Sequence, residues 1–229
     1  SVLFPRDYNH VNVGGTVTLM EAVRDTHVRR VVMASSGAIY GVQDTVPYQE
    51  DALVHPGSPY AVSKLAAEYY IRTIAEESKV EAVCLRIFNA YGPGQRVTLS
   101  NPPIIPNFLR HALSNGSIVI HGDGMQTRDY VYLDDVVDAL ISAATAHGVD
   151  QEIINIGSGV ETSVNELARL VRMVTDKRPE QIFNPKRDGG AERMCADISK
   201  AERLLNYLPK VPLEAGLRLT IDKDPLLQI

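Results

Sequence analysis

The sequence predicts an α/β fold organised around a parallel sheet, and three observations carry that expectation. Helix-type and strand-type patterns alternate from Asp7 to Ile87. Two short apolar runs, Val28–Ala34 and Val80–Ile87, have the length and β-branching of strands covered on both faces. Between them stand Ser58 and Pro59, an N-cap and a first-turn proline that open a helix.

Taken in order, Asp7–Arg24 reads as a helix because Val11, Val17, Leu19, Met20 and Val23 follow a helical period. The run Val28–Ala34 is the first strand. Ser35–Pro59 is polar and rich in Gly and Pro, hence loop. The helix opened by Ser58 runs to about Glu77, and Val80–Ile87 is the second strand. From Asn89 to Asn107 the glycines and prolines predict loop. A helix over about Asn107–Ser114 follows, then strands at Ser117–His121 and Thr127–Leu133. Asp134 or Asp135 is expected to cap a helix reaching about Ala146. Gln151–Ile156 is another strand, and Ser163-Val-Asn-Glu166 is a capping box before a helix ending near Thr175. Short helices are expected at Ser199–Leu205 and Leu213–Ile221.

Composition narrows the function. The 229 residues are 45% hydrophobic and 22% charged, an ordinary globular balance. Lys and Arg total 23 against 28 Asp and Glu, a net charge of −5, so a nucleic-acid partner is not expected. No apolar run approaches the ~20 residues of a membrane span. The opening SVLFPRDYNH has no secretory-leader pattern. Cys84 and Cys195 match neither a zinc spacing nor a disulfide framework, so no metal is expected. Two free thiols point to a cytoplasmic protein.

The chemistry-bearing pair is Tyr60 and Lys64. A four-residue step places both on one helix face, and a cation beside a phenol favours the phenolate, a base able to take a proton from a hydroxyl. Upstream, the strand leads into Ser35-Ser36 at its C-terminal end, where open α/β sheets hold their ligands. Ser36, Tyr60 and Lys64 together are a candidate proton-handling triad.

Six ordered segments carry a resemblance. They are Asn12-Val-Gly-Gly-Thr16, Ser35-Ser-Gly-Ala-Ile-Tyr-Gly41, Ser58-Pro-Tyr-Ala-Val-Ser-Lys64, Leu85-Arg-Ile-Phe-Asn-Ala-Tyr-Gly-Pro93, Gly122-Asp-Gly-Met-Gln-Thr-Arg-Asp-Tyr-Val131 and Asn155-Ile-Gly-Ser-Gly159. The chain thereby resembles the extended short-chain dehydrogenase/reductases of the NAD-dependent epimerase/dehydratase family, nearest to the UDP-glucose 4-epimerase type. The resemblance implies Tyr60 as acid/base, Lys64 on the nicotinamide ribose, and Ser36 on the reacting sugar oxygen. It implies Asn12, Ser35 and Phe88 beside NAD. It implies Asn89, Arg128 and Arg187 on the substrate diphosphate, and Met194 at the position that gates the sugar.

The same resemblance implies a Rossmann-type parallel sheet with an interleaved, smaller α/β substrate-binding domain. Residues 1–98 would belong to the dinucleotide-binding domain and 99–229 mainly to the substrate region, with about 126–157 returning to the former. The family's opening G-x-x-G-x-x-G turn has no counterpart in this sequence, so the sheet is expected to be incomplete, and these residues alone are expected to hold the nicotinamide end of NAD without its pyrophosphate. Near Arg187 the family's R-x-G-D reads Arg187-Asp-Gly-Gly190.

The implied activity is epimerisation of a nucleotide-diphosphate sugar through a 4-keto sugar, with NAD as cofactor. The alternatives are a related 4-ketoreductase or decarboxylase, and a truncated, non-catalytic remnant binding a sugar nucleotide or a partner. Dehydratase relatives carry an Asp-Glu pair where this chain has Gly37-Ala38, so elimination is not expected. A homodimer through the helices at about Asp7–Arg24 and Ser58–Glu77 is also implied, with Leu65, Tyr69 and Ile71 among its apolar residues.

Overall fold

A computed structural model describes residues 1–97, 102–185 and 191–228. The chain starts with one helical run in three parts: α1 (Pro5–Tyr8), a π-helical segment (Asn9–Gly14) and α2 (Gly15–Val23). The backbone stays helical through both junctions, with φ −65° and ψ −46° at Asn9 and φ −61° and ψ −39° at Gly15. Pro5 sits in the first turn, where its missing N–H costs nothing.

The central sheet holds β1 (Arg30–Ser36), β2 (Glu81–Ile87) and β6 (Ile153–Ile156), all parallel, in the order β1-β2-β6. β2 is central and buried on both faces, and its side chains divide with period two. Ala82 and Cys84 face α3 (Pro59–Ser78), packing with Met20, Ala67, Ile71 and Ala75. Val83 and Leu85 face α5 (Leu133–Thr145), packing with Val136, Ala139 and Ala143. The expected start of α3 is exact in chemistry: Ser58 Oγ accepts from the Ala61 N–H at 3.2 Å, with Pro59 first in the helix.

The second core lies between α4 (Ile104–Leu113), α6 (Val164–Thr175) and α8 (Leu213–Lys223), with Phe108, Leu109, Leu167, Val171 and Leu217 at its centre. Two small sheets border it. One holds β3 (Asn89–Tyr91), β5 (Thr127–Tyr132) and β7 (Glu161–Ser163), the other β4 (Ile118–His121) parallel to β8 (Gln181–Asn184). α7 (Ser199–Leu205) returns to the core beside β6 through Ala201 and Leu205.

Three strands, β3, β7 and β8, lie where periodicity gives no signal. The first two have only three residues each, and β8 is half-exposed. The capping expectation at Asp134 or Asp135 is corrected. Tyr132 occupies the N-cap without a side-chain bond, and the buried Asp135 carboxylate instead accepts from the Lys210 and Val211 N–H groups at 2.9 and 3.1 Å. The expected capping box is half present. Ser163 Oγ accepts from the Glu166 N–H at 3.1 Å, while the Glu166 carboxylate is taken by Arg169.

Candidate active site

The C-terminal end of β1 meets the N-terminal half of α3 at a cavity of about 450 Å³. Its walls include Ser35, Ser36, Tyr60, Lys64, Phe88, Asn89, Arg128 and Met194, so eight of the residues singled out in the sequence converge there. Ser36 ends β1, and its Oγ accepts from the Ala38 N–H at 3.2 Å, shaping the turn that follows. Gly37 lies against Phe88: a Cβ there would stand 3.0 Å from the ring, so any side chain would push the two apart.

Lys64 Nζ donates to the Ala34 carbonyl at 3.0 Å and lies 6.0 Å from the Tyr60 ring centroid. Burial pulls the Lys64 pKa below its ordinary value, and the nearby Glu68 carboxylate opposes that shift. Phe88 is buried among Tyr40 and Tyr48, with both ring centroids 6.2 Å away. Asn89 Nδ2 donates to the Asp129 carbonyl at 2.9 Å, which ties β3 to β5. Arg128 donates from Nη1 to the Thr127 and Ala191 carbonyls at 2.6 and 2.7 Å.

Two expected residues stand or face elsewhere, and a third cannot be placed. Asn12 lies in the π-helical segment, and its amide donates to Ser63 Oγ at 2.9 Å, so it braces α3 from behind. The Ser35 hydroxyl turns away from the cavity and donates to Glu68 Oε1 at 2.5 Å. Arg187 lies outside the described residues.

A second cavity of about 590 Å³ adjoins the first and shares Asn89, Ala90 and Arg128 with it. Its walls carry buried polar atoms without a hydrogen-bond partner: Gln95 Oε1, His121 Nδ1 and Tyr130 Oη. With the amides of Asn89 and Gln95 and with Arg128 on the same walls, the lining suits a ligand with its own donors and acceptors. Gln126 and Asn107 complete this polar set. Sequence reasoning missed these residues, as it missed Glu68, although Glu68 follows Lys64 by one further four-residue step. Among the described residues no group of His, Cys, Asp and Glu could hold a metal, and no helix is long and apolar enough to cross a membrane.

Comparison with known proteins gives the family of the chain. The model of the NAD dependent epimerase/dehydratase family matches residues 1–157. The UDP-glucose 4-epimerase of Mycolicibacterium smegmatis is 38% identical over 213 residues, spanning 93% of this chain and 67% of the relative. The crystal structure of the Thermotoga maritima UDP-glucose 4-epimerase with UDP-glucose superposes with a TM-score of 0.91 at 36% identity, covering 97% of this chain and 72% of the other. The Bacillus cereus UDP-glucuronic acid 4-epimerase, in complex with UDP-glucuronic acid and NAD, gives a TM-score of 0.85 at 30% identity, covering 93% and 66%. The chain thus spans about two thirds of the length of the proteins it matches. With a family model covering more than half its length, this chain belongs to the NAD dependent epimerase/dehydratase family.

Proposed function

We propose that the chain is a nucleotide-sugar 4-epimerase acting on a UDP-type sugar. The observation that carries this reading is the pair of cavities that meet at Asn89 and Arg128. One offers proton-transfer groups. The other offers amide, imidazole and phenol side chains for a nucleoside, and Arg128 borders both, where a diphosphate would lie.

The chemistry of the donor set also fits the nicotinamide end of NAD. Lys64 is an ammonium with three donors, one of which is spent on Ala34, so the others would hold ribose hydroxyls. Tyr60 and Phe88 would flank the ring. NAD, when bound, supplies reversible two-electron oxidation at the sugar carbon. Tyr60 Oη takes the proton of the sugar 4-hydroxyl and returns it after the sugar has turned over. Lys64 places its positive charge 6.0 Å from the Tyr60 ring centroid, and Ser36 Oγ orients the sugar oxygen. Gly37 and Ala38 follow Ser36, so no carboxylate stands there to drive elimination. Met194 borders the sugar end with a flexible thioether.

The exposed side chains Val11, Leu19, Val62, Tyr69 and Tyr70 on the first helical run and α3 would suit a second copy of the chain. Leu65 and Ile71 pack inward instead, Ile71 against the sheet and Leu65 beside Tyr40 and Tyr48. The two free buried thiols fit a reducing compartment, as in cytoplasm.

Incubation with NAD and UDP-glucose, followed by NMR at the anomeric proton, tests the function. Appearance of the C4 epimer, abolished in Tyr60→Phe, supports it. UDP-glucose binding without conversion of any UDP-sugar would favour a non-catalytic binding role.

A further inference from the structure

Glu68 and Arg86 form an ion pair beneath the active-site cavity, with side chains 3% and 4% exposed. Burying two charges is expensive, and apolar residues of the same volume commonly serve stability as well or better. The pair therefore calls for a role other than stability, and its contacts point to one.

Ser35 and Arg86 are direct neighbours in the parallel register of β1 and β2. One carboxylate from α3 reaches both. Glu68 Oε1 accepts from the Ser35 hydroxyl at 2.5 Å and from Arg86 Nε at 3.2 Å, and Oε2 accepts from Arg86 Nη2 at 2.9 Å. Arg86 is itself fixed, with its guanidinium 4.8 Å above the Tyr40 ring and Nη1 on the Glu50 carbonyl at 3.2 Å. On α3, Tyr60, Lys64 and Glu68 follow one another at four-residue steps along one face. The helix thus fastens the end of β1 at two consecutive residues, Ala34 through Lys64 and Ser35 through Glu68. The next residue is Ser36, on the cavity wall.

We propose that Glu68 is a positioning residue: with Arg86 as its counterion it locks Ser35, and so holds the Ser36 hydroxyl in register with Tyr60 and Lys64 of the same helix. What those groups then do rests on the 4-epimerase reading; the contacts do not. Glu68 has a second effect on Lys64. Among the described residues, the charged or titratable groups around the Lys64 ammonium are Tyr60 and Glu68 of α3, Arg86 of β2 behind Glu68, and Arg128 of β5 across the cavity. Glu68 supplies the negative charge that opposes the lowering of the Lys64 pKa by burial.

The test is Glu68→Gln in the complete chain, read two ways. One is kcat and KM for UDP-glucose with NAD. The other needs no turnover: trace acylation of Lys64 at pH 8, followed by peptide mass spectrometry. The expected result is a kcat at least tenfold lower, KM within threefold, and Lys64 labelled faster once its carboxylate neighbour is gone. An unchanged kcat in a chain that turns over overturns the proposal, as does unchanged labelling. Should Glu68→Gln not fold cooperatively, Ser35→Ala decides, since it leaves the ion pair intact. Faster amide exchange at residues 35–38 supports the positioning role, and unchanged exchange overturns it. If the wild-type chain converts no UDP-sugar, the 4-epimerase reading falls, while labelling and exchange still judge Glu68.

Discussion

Asn12 and Ser63 are joined side chain to side chain across two helices: Asn12 Nδ2 donates to Ser63 Oγ at 2.9 Å, and Ser63 Oγ donates onward to the Tyr60 carbonyl at 2.8 Å. The Tyr8 ring meets Tyr60 edge-on at 5.8 Å from the same side. Asn12→Ala should therefore lower stability by about 1 kcal/mol, the worth of a part-buried hydrogen bond. Urea unfolding checks this, with a lower midpoint at unchanged slope as the expected outcome.

Tyr60→Phe removes the proton-carrying atom and keeps the ring. The expected loss in kcat is about 100- to 10,000-fold. Affinity for UDP-glucose should stay within about threefold, by calorimetry. A Phe variant with wild-type turnover would remove Tyr60 from the chemistry.

Arg128 stands where the two cavities meet, and Arg128→Ala should weaken UDP binding by about 1.5–3 kcal/mol, the scale of hydrogen bonds from a charged donor. Uridine has no phosphate and should bind the variant within threefold of wild type. Equal losses for both ligands would mean that Arg128 acts through its bonds to the Thr127 and Ala191 carbonyls.

Burial pushes both the Cys84 and Cys195 thiols up to about 12. At pH 8 the thiolate fraction is then on the order of 10⁻⁴, and neither sulfur is accessible. Iodoacetamide should leave both unmodified in the native chain and alkylate both in urea. Rapid native labelling of either would contradict the packing around it.

Asp129 is fully buried and accepts from the Ser158 N–H and hydroxyl, both at 2.6 Å, and from the Gly159 and Ala196 N–H groups at 3.0 and 3.1 Å. Asp129→Asn would turn an amide N–H₂ toward backbone donors. The expected cost is about 3 kcal/mol, from donors left unpaired. Thermal unfolding reads it, and an unchanged Tm would refute it.

The legible parts of this molecule were those written in local sequence. Ser58-Pro59 announced α3, and apolar β-branched runs announced β1 and β2, because caps and periods act over a few residues. Tyr60 and Lys64 were legible as a helix-face pair, and Ser36 as a hydroxyl at a strand end. Asn89, Arg128 and Met194 were legible only through family motifs, since nothing local distinguishes them from surface polar or core residues. The missed parts depend on lateral placement. Glu68 and Arg86 meet because β2 lies under α3, and His121 and Tyr130 share a wall although they come from β4 and β5, strands not paired with each other. Asp135 was misread as a cap because its partners, Lys210 and Val211, lie 75 and 76 residues away.

The buried pair of Glu68 and Arg86 also constrains how this sequence can drift. Losing either partner strands a charge away from water, a step on the order of 3–5 kcal/mol in a fold whose whole margin is about 5–15 kcal/mol. Replacing both together with matched neutral residues carries no such barrier, because the two effects are coupled and not additive. A single change at either position therefore removes a large part of that margin, even where the doubly changed protein would stand as firmly as the original. For the sequence, a helix position and a strand position are tied into one unit of change.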